Sequence, residues 1–266
     1  MSAPRRRWLG WVLALALAAG PLAATGQSYT EKTRRMLATP PAGLTVPATV
    51  EDRVFSLLNQ LRAENGLPVL GAGKGLRDAA RAHSNRMQRD DFFAHTDPDG
   101  RSMNDRVAAV DRQTLYSAMA ENLAKIRPPG RDPARTVHDG WVNSPGHYKN
   151  MISDRFSHVG VGCAVMKQIL VCTQVFGKAI GRLKSPLPVR PGPSGSTDVS
   201  AEVRGLGYGG WVLLDRRGTE RAKGFGATLK WPSGLHGEHQ VRIVGKAQQG
   251  NRVYLHRFFG PSVILD

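Results

Sequence analysis

The chain has 266 residues, of which 41% are hydrophobic and 22% are charged, a balance that predicts a globular protein and excludes an intrinsically disordered one. The formal net charge is +16, which suits an anionic partner. Because no run of Lys and Arg exceeds three residues, we interpret this charge as a basic solvent-facing surface and do not expect a nucleic-acid-binding protein.

The first 26 residues have the composition of a secretory signal peptide. Arg5, Arg6 and Arg7 precede an uncharged apolar run from Trp8 to Ala19. The run is too short to cross a membrane comfortably, which takes about 20 apolar residues. We therefore predict a secreted or periplasmic protein with no transmembrane span after signal cleavage. An uncleaved membrane anchor and a twin-arginine export route are the alternatives.

Composition divides the remainder into four parts. Residues 27–47 are polar and contain three prolines, and we interpret them as a leader. Residues 48–182 form the predicted main domain. Residues 183–197 are rich in Pro, Gly and Ser, as linkers are. Residues 198–266 have alternating apolar positions with Gly-containing turns, which predict a small all-β module of about five strands.

Helical spacing of apolar residues dominates the first half of the main domain. The predicted helices begin with one around Val54 to Leu61, followed by helices over 75–89, 102–110 and 132–143. Residues 114–126 are ambiguous. Helices followed by an antiparallel strand pair indicate an α+β fold.

The main domain ends in a predicted β-hairpin, residues 158–176. With Lys167 and Gln168 as a two-residue turn, Cys163 and Cys172 face each other at a non-hydrogen-bonded position. Cα atoms there approach to about 4.5 Å, which is close enough for a disulfide. In an exported protein we predict that this bond forms; two reduced cysteines are the alternative.

Three candidate site residues, His95, Glu121 and His147, lie on separate segments, and their spacing alone does not predict a metal site. No His-Glu-x-x-His motif is present. His83 lies on the apolar face of the second helix, where a hydrogen-bonded core histidine is the usual interpretation.

Several motifs in a fixed order nevertheless resemble the CAP superfamily of cysteine-rich secretory, antigen 5 and pathogenesis-related proteins, in its bacterial SCP-like form. They span about residues 51–177. The motifs are Asn59-x-x-Arg62-x-x-x-Gly66-Leu67-Pro68, Ala82-His83-Ser84, Phe93-x-His95-Thr96-Asp97-Pro98, Glu121-Asn122-Leu123, Trp141-x-x-Ser144-Pro145-Gly146-His147 and Gly160-Val161-Gly162.

This resemblance implies a three-layer α-β-α sandwich with a central cleft, followed here by the small all-β C-terminal module. It implies that His95, Glu121 and His147 line the cleft and bind one divalent metal, with zinc as the expected ion. His83, Asn122 and Ser144 are expected around them. The second acidic residue of the family's cleft is missing, since Asn143 and Ser144 stand where a Glu is expected. Zinc would then be held by two imidazoles and one carboxylate plus water.

The resemblance favours a binding protein of the cell envelope, whose cleft holds a metal, a small ligand, a lipid or a peptide. The alternative is a metal-dependent hydrolase, a peptidase or a peptidoglycan-cleaving enzyme, with Glu121 as general base. Enzymatic activity is not the favoured expectation, because no Gly-x-Ser-x-Gly elbow is present and both cysteines are assigned to the disulfide.

Overall fold

The computed structural model describes residues 27–192 and 195–266. The predicted signal peptide, residues 1–26, lies outside the described residues. The helices are α1 (Tyr29–Ala38), α2 (Ala48–Glu64), α3 (Lys74–Arg89), α4 (Met103–Val110), α5 (Pro133–Val142) and α6 (Pro145–Met151). None of these helices is long and apolar enough to cross a membrane.

Most of the strands belong to a single nine-stranded sheet. Over the described ranges, the strands are β1 (Gly71–Ala72), β2 (Thr114–Ile126), β3 (His158–Met166), β4 (Ile169–Leu183), β5 (Ser196–Asp198), β6 (Ala201–Val203), β7 (Gly207–Leu214), β8 (Glu220–Gly224), β9 (Thr228–Lys230), β10 (Gly237–Gln249) and β11 (Arg252–Leu265). The order in the sheet is β1-β3-β4-β2-β11-β10-β7-β8, with β6 paired to β4. Strands β5 and β9 form a separate pair.

Helices cover both faces of the first part of this sheet. Cys172 and Phe176 of β4 pack with apolar residues of α2, α5 and α6. Val175 of the same strand packs on the opposite face with apolar residues of α3 and α4. This division follows from the strand itself, because successive side chains point to opposite faces. The arrangement confirms the predicted three-layer α-β-α fold.

The predicted hairpin is confirmed with its register. Cys163 lies opposite Cys172, their Cα atoms are 4.2 Å apart, and the disulfide is formed. Lys167 and Gln168 have φ values of 49° and 59°, as a two-residue type I′ turn requires. Neither residue is a preferred one at such a turn, so the paired strands and the disulfide hold it in place.

A buried carboxylate fastens this hairpin to the helices. The side chain of Glu51 on α2 is completely buried. It accepts hydrogen bonds from Arg77 and Arg81 of α3 and from the backbone N–H of Cys163. Because its partners lie on both α3 and β3, Glu51 fixes α2 and α3 relative to β3.

Residues 27–47, assigned above to a leader, contain a helix that packs on the domain. Tyr29 and Met36 of α1 are buried. The Nδ2 atom of Asn85 donates to the carbonyl of Met36 (3.1 Å). The backbone N–H of Thr30 donates to Glu238 of β10 (2.9 Å). Helix α1 therefore joins the first part of the chain to its C-terminal strands.

The C-terminal part, residues 196–265, consists of seven strands, β5 to β11, without a helix in the portion described. This is two more than the predicted five, since short polar strands such as β5 give no apolar alternation. Strand β11 meets β2 at one residue pair, Phe259 and Tyr116, so the sheet is continuous. In the proposed linker, Leu187 is buried, and its carbonyl accepts a hydrogen bond from Arg112 (2.9 Å). The domain boundaries themselves stay predictions.

Candidate functional site at the edge of strand β2

The candidate site lies where β2 has a strand on one side only. Glu121 and Asn122 of β2 pair with Val175 and Gln174 of β4. On the other flank, β11 pairs with β2 only at Tyr116 among the described residues. Since successive side chains alternate, Glu121 points towards the α3 and α4 layer and Asn122 towards α6. The two residues therefore organise opposite faces of a strand segment that pairs with β4 alone among the described strands.

On the first side, the Glu121 carboxylate joins a buried cation to an exposed imidazole. Its Oε2 accepts a hydrogen bond from Nη2 of Arg106 on α4 (2.7 Å). Its Oε1 accepts one from Nδ1 of His95 (2.8 Å). The side chains of Arg106 and Glu121 are 2% and 4% exposed, whereas that of His95 is 60% exposed. The carboxylate thus orients a ring whose other nitrogen, Nε2, makes no hydrogen bond within the described chain.

The loop that carries His95 is held by an acidic residue two positions later. The side chain of Asp97 is fully buried. It accepts hydrogen bonds from the Tyr29 hydroxyl on α1 and from Arg86 on α3. Its Oδ1 also accepts the backbone N–H of Arg101 (3.0 Å). In addition, Nη1 of Arg106 donates to the carbonyl of His95 (3.1 Å). The position of His95 is therefore fixed by the backbone as well as by Glu121.

On the second side, Asn122 positions the helix that carries His147. The Asn122 amide donates to the His147 carbonyl (3.2 Å) and to Gln174 (3.1 Å), and it accepts from Asn150 (2.9 Å). Helix α5 ends at Val142, and Pro145 lies in the first turn of α6. His147 is half-buried, and its Nδ1 is buried without a hydrogen-bond partner in the part of the chain described.

The remaining predicted cleft residues lie around this core. His83 is completely buried, and its Nε2 lies 2.9 Å from the carbonyl of Ala94, next to His95. Its ring also packs near Phe92. Ser144 caps the start of α6 with its backbone, and its side chain makes no capping hydrogen bond. His83 supports the loop of His95, while Ser144 precedes the helix of His147.

The pKa values follow from these contacts. Burial opposes the charge on Glu121, but the hydrogen bond from His95 and the charge of Arg106 prevail and lower its pKa. The hydrogen bond to Glu121 raises the pKa of His95, against a smaller effect of burial. Burial and the nearby His95 lower the pKa of His147. Burial, with the charge of Arg106 adding to it, lowers the pKa of His83 to about 3.

We predict that Glu121→Gln lowers the pKa of His95, because the amide cannot stabilise the imidazolium by charge. The His95–Glu121 pair contributes its full stability below the unfolded-state pKa of His95 and loses it as pH rises through the folded pKa. Titration of the His95 ring by NMR measures the change. His158, whose pKa is lowered by burial, is the control and should titrate identically in both proteins. An unchanged His95 midpoint would contradict the proposed pairing.

The donor set decides how a metal would fit this site. Both oxygens of Glu121 are engaged, one of them by the cation Arg106. No group of three or more His, Cys, Asp or Glu side chains within residues 27–192 and 195–266 is arranged to hold a metal ion. The three-ligand set of His95, Glu121 and His147 stays a prediction. The contacts make Glu121 the hydrogen-bond partner of His95, a role that carboxylates commonly have beside metal-bound histidines.

Sequence reasoning missed Arg106, which holds Glu121 in place. In the sequence, Arg106 was recognisable only as a charged residue that directly precedes the apolar run from Val107 to Val110 in a short helix. Asn150, which donates to Asn122, belongs to the family motif that contains His147 and lies three residues after it. Gln174 of β4, which accepts from Asn122, had no signal in the sequence. Such partners are set by layer packing, which no local pattern encodes.

Comparison with known proteins identifies the central part of the chain. Residues 55–176 match the model of the cysteine-rich secretory protein family, CAP. The chain is 34% identical over 112 residues to the uncharacterized protein YkwD of Bacillus subtilis, covering 42% of this chain and 41% of YkwD. It is 29% identical over 117 residues to the uncharacterized membrane protein YlbC of the same organism, covering 44% of this chain and 32% of YlbC. The chain thus spans less than half the length of either relative.

Two solved structures resemble this one over 49% of the chain. An extracellular protein containing a SCP domain from Bacillus anthracis has 28% identity and a TM-score of 0.43, with 41% of that chain covered. An outer surface protein from Borrelia burgdorferi has 22% identity and a TM-score of 0.44, with 93% of that chain covered. The family match falls on the segment that carries every predicted site residue, and residues 55–176 of this chain are a domain of the CAP type.

Proposed function

We propose that this chain is a secreted binding protein of the cell envelope. Its cleft at His95 and His147 would bind a divalent metal ion, together with a small ligand, lipid or peptide. The signal-like composition of residues 1–26 and the Cys163–Cys172 disulfide both support an exported protein.

The hydrogen bond between His95 Nδ1 and Glu121 carries this proposal. In this bond Nδ1 of His95 donates its proton to the carboxylate. The other ring nitrogen, Nε2, is then left for a ligand on a largely exposed ring. His147 is close enough for the charge of His95 to lower its pKa. His147 has no comparable partner at Nδ1 among the described residues, so we expect weaker metal binding than at a site where both histidines are oriented.

The hydrolase alternative is less well supported by the same contacts. A general base needs a carboxylate that reaches water and accepts a proton near the working pH. Glu121 is 4% exposed, and its pKa is lowered by His95 and Arg106 against the effect of burial. Cleavage of peptide or peptidoglycan by the wild type that is lost in Glu121→Gln would favour the hydrolase.

Zinc titration of the exported, chelator-free protein tests the proposal. We expect wild-type protein to bind zinc at about pH 8 and to release it towards about pH 5, because only neutral imidazole binds metal. His147→Ala should weaken zinc binding by more than about tenfold. His256→Ala removes an exposed histidine from β11 and should leave binding unchanged. Equal affinity in wild type and His147→Ala would overturn the proposal.

A further inference from the structure

Strands β10 and β11 extend beyond the rest of the sheet as a two-stranded arm. Strand β7 pairs with β10 only as far as Lys246, whereas β10 and β11 stay paired to Gln249 and Arg252. On the other flank, the pairing of β11 with β2 is at Phe259. At 3.3 Å per residue, the arm projects about 10 Å beyond the last residue of β10 that has strands on both sides.

The tip of this arm exposes consecutive apolar side chains. Val253, Tyr254 and Leu255 are 52%, 42% and 58% exposed. Because the side chains of a strand alternate, Tyr254 lies on one face of the ribbon and its two neighbours on the other. Each face of the ribbon therefore carries exposed apolar side chains, unlike a strand that covers a core with one face. Phe225, 80% exposed, follows Gly224 of β8 at the same end of the sheet.

The charge of the arm has one sign. From residue 239 to residue 265 the sequence contains no Asp or Glu, while Arg242, Lys246, Arg252 and Arg257 all occur there. Lys246 and Arg252 flank the apolar tip and are exposed. Arg257 is held further back by Glu220 (3.0 Å). The tip therefore combines exposed apolar area with unopposed positive charge.

We propose that this arm docks the protein on the surface of an anionic lipid membrane. Apolar side chains and an aromatic ring enter the interfacial region, while flanking cations meet lipid phosphates. A bilayer can receive both faces of a thin ribbon at once. Protein interfaces are instead depleted in Lys and bury one continuous patch, which makes a protein partner the less suitable occupant. This docking is independent of metal binding in the cleft.

Co-sedimentation of the exported protein with vesicles tests the apolar part of the contact. We expect binding to mixed phosphatidylglycerol–phosphatidylcholine vesicles and at least ~10-fold weaker binding by the double variant Tyr254→Ser, Leu255→Ser. Val69→Ser, at a site 63% exposed elsewhere on the molecule, is the matched control and should bind like wild type. Binding that is equal in all three proteins would overturn the proposal.

A second set of variants tests the contribution of the positive charges to vesicle binding. The double variant Lys246→Gln, Arg252→Gln should weaken binding to the anionic vesicles about tenfold or more, and added salt should weaken the wild type. A control with the same loss of charge, Lys125→Gln with Lys178→Gln, should change binding little. Equal uptake by pure phosphatidylcholine vesicles, or no uptake by either kind, would also overturn membrane docking. All variants should keep the wild-type thermal unfolding midpoint, since the replaced side chains are exposed.

Discussion

Replacing Arg106 with Met should lower the free energy of unfolding by about 3–5 kcal/mol, because it leaves a buried carboxylate without its main cation. Arg106 and Glu121 are almost inaccessible to water and are joined by a 2.7 Å hydrogen bond. His95 is the remaining partner of Glu121 and is largely exposed, so it compensates poorly. Urea unfolding at neutral pH measures the loss, and the His95 loop should loosen because its carbonyl also loses Arg106.

Two further variants distinguish the effect of breaking the buried Arg106–Glu121 pair from a nonspecific loss of stability. Adding Glu121→Gln to Arg106→Met should restore part of the stability, because no unpaired buried charge remains. Arg190→Met breaks an exposed pair with Glu31 and should cost no more than about 1 kcal/mol. If the double variant is as unstable as the sum of its single variants, the buried pair is not the cause.

Gly162→Ala should destabilise the domain by about 3 kcal/mol or more, as overpacking of a well-filled interface can. The backbone of α3 lies directly on this glycine of β3. A Cβ there would lie 2.1 Å from the backbone nitrogen of Arg81 and 2.4 Å from the carbonyl carbon of Ala80. Backbone atoms cannot move away as a flexible side chain can, so helix and strand must separate.

Substitution of a second glycine, Gly140, should change the stability in the opposite direction. Gly140 lies within α5, and a Cβ there meets nothing within 4 Å. Gly140→Ala should therefore raise stability by about 0.5–1 kcal/mol, since Ala favours the helix. Thermal or urea unfolding of the two alanine variants side by side measures both effects. A similar change in both would refute direct packing of α3 on β3.

Local pattern was enough for helices α2 to α5 and for the hairpin with its disulfide, but it predicted neither α1 nor α6. The register of Cys163 and Cys172 follows from counting out from a two-residue turn. Residues 114–126 stayed ambiguous because β2 has irregular register near Tyr116, which disturbs the alternation. Helix α1 was missed because Tyr29 and Thr30 find their partners, Asp97 and Glu238, far along the chain.

The candidate site likewise depends on contacts between distant parts of the chain, which local pattern does not predict. Histidine and glutamate spacing did not predict a site, and the family resemblance named His95, Glu121 and His147. Neither the spacing nor the resemblance predicted the role of Glu121, because that role depends on Arg106 of helix α4, which packs against β2. With Arg106 in place, Glu121 keeps its charge as pH falls until its lowered pKa is reached. His95 keeps its charge as pH rises until its raised pKa is reached. Between these limits the carboxylate serves to hold and orient an imidazole.

A crystal structure of the zinc-soaked protein tests the central claim most directly. The account predicts an anomalous zinc peak between the rings of His95 and His147, with Glu121 still hydrogen-bonded to Arg106 and to His95. A peak bound directly by the Glu121 carboxylate with Arg106 displaced, or two imidazoles too far apart to share an ion, would contradict it.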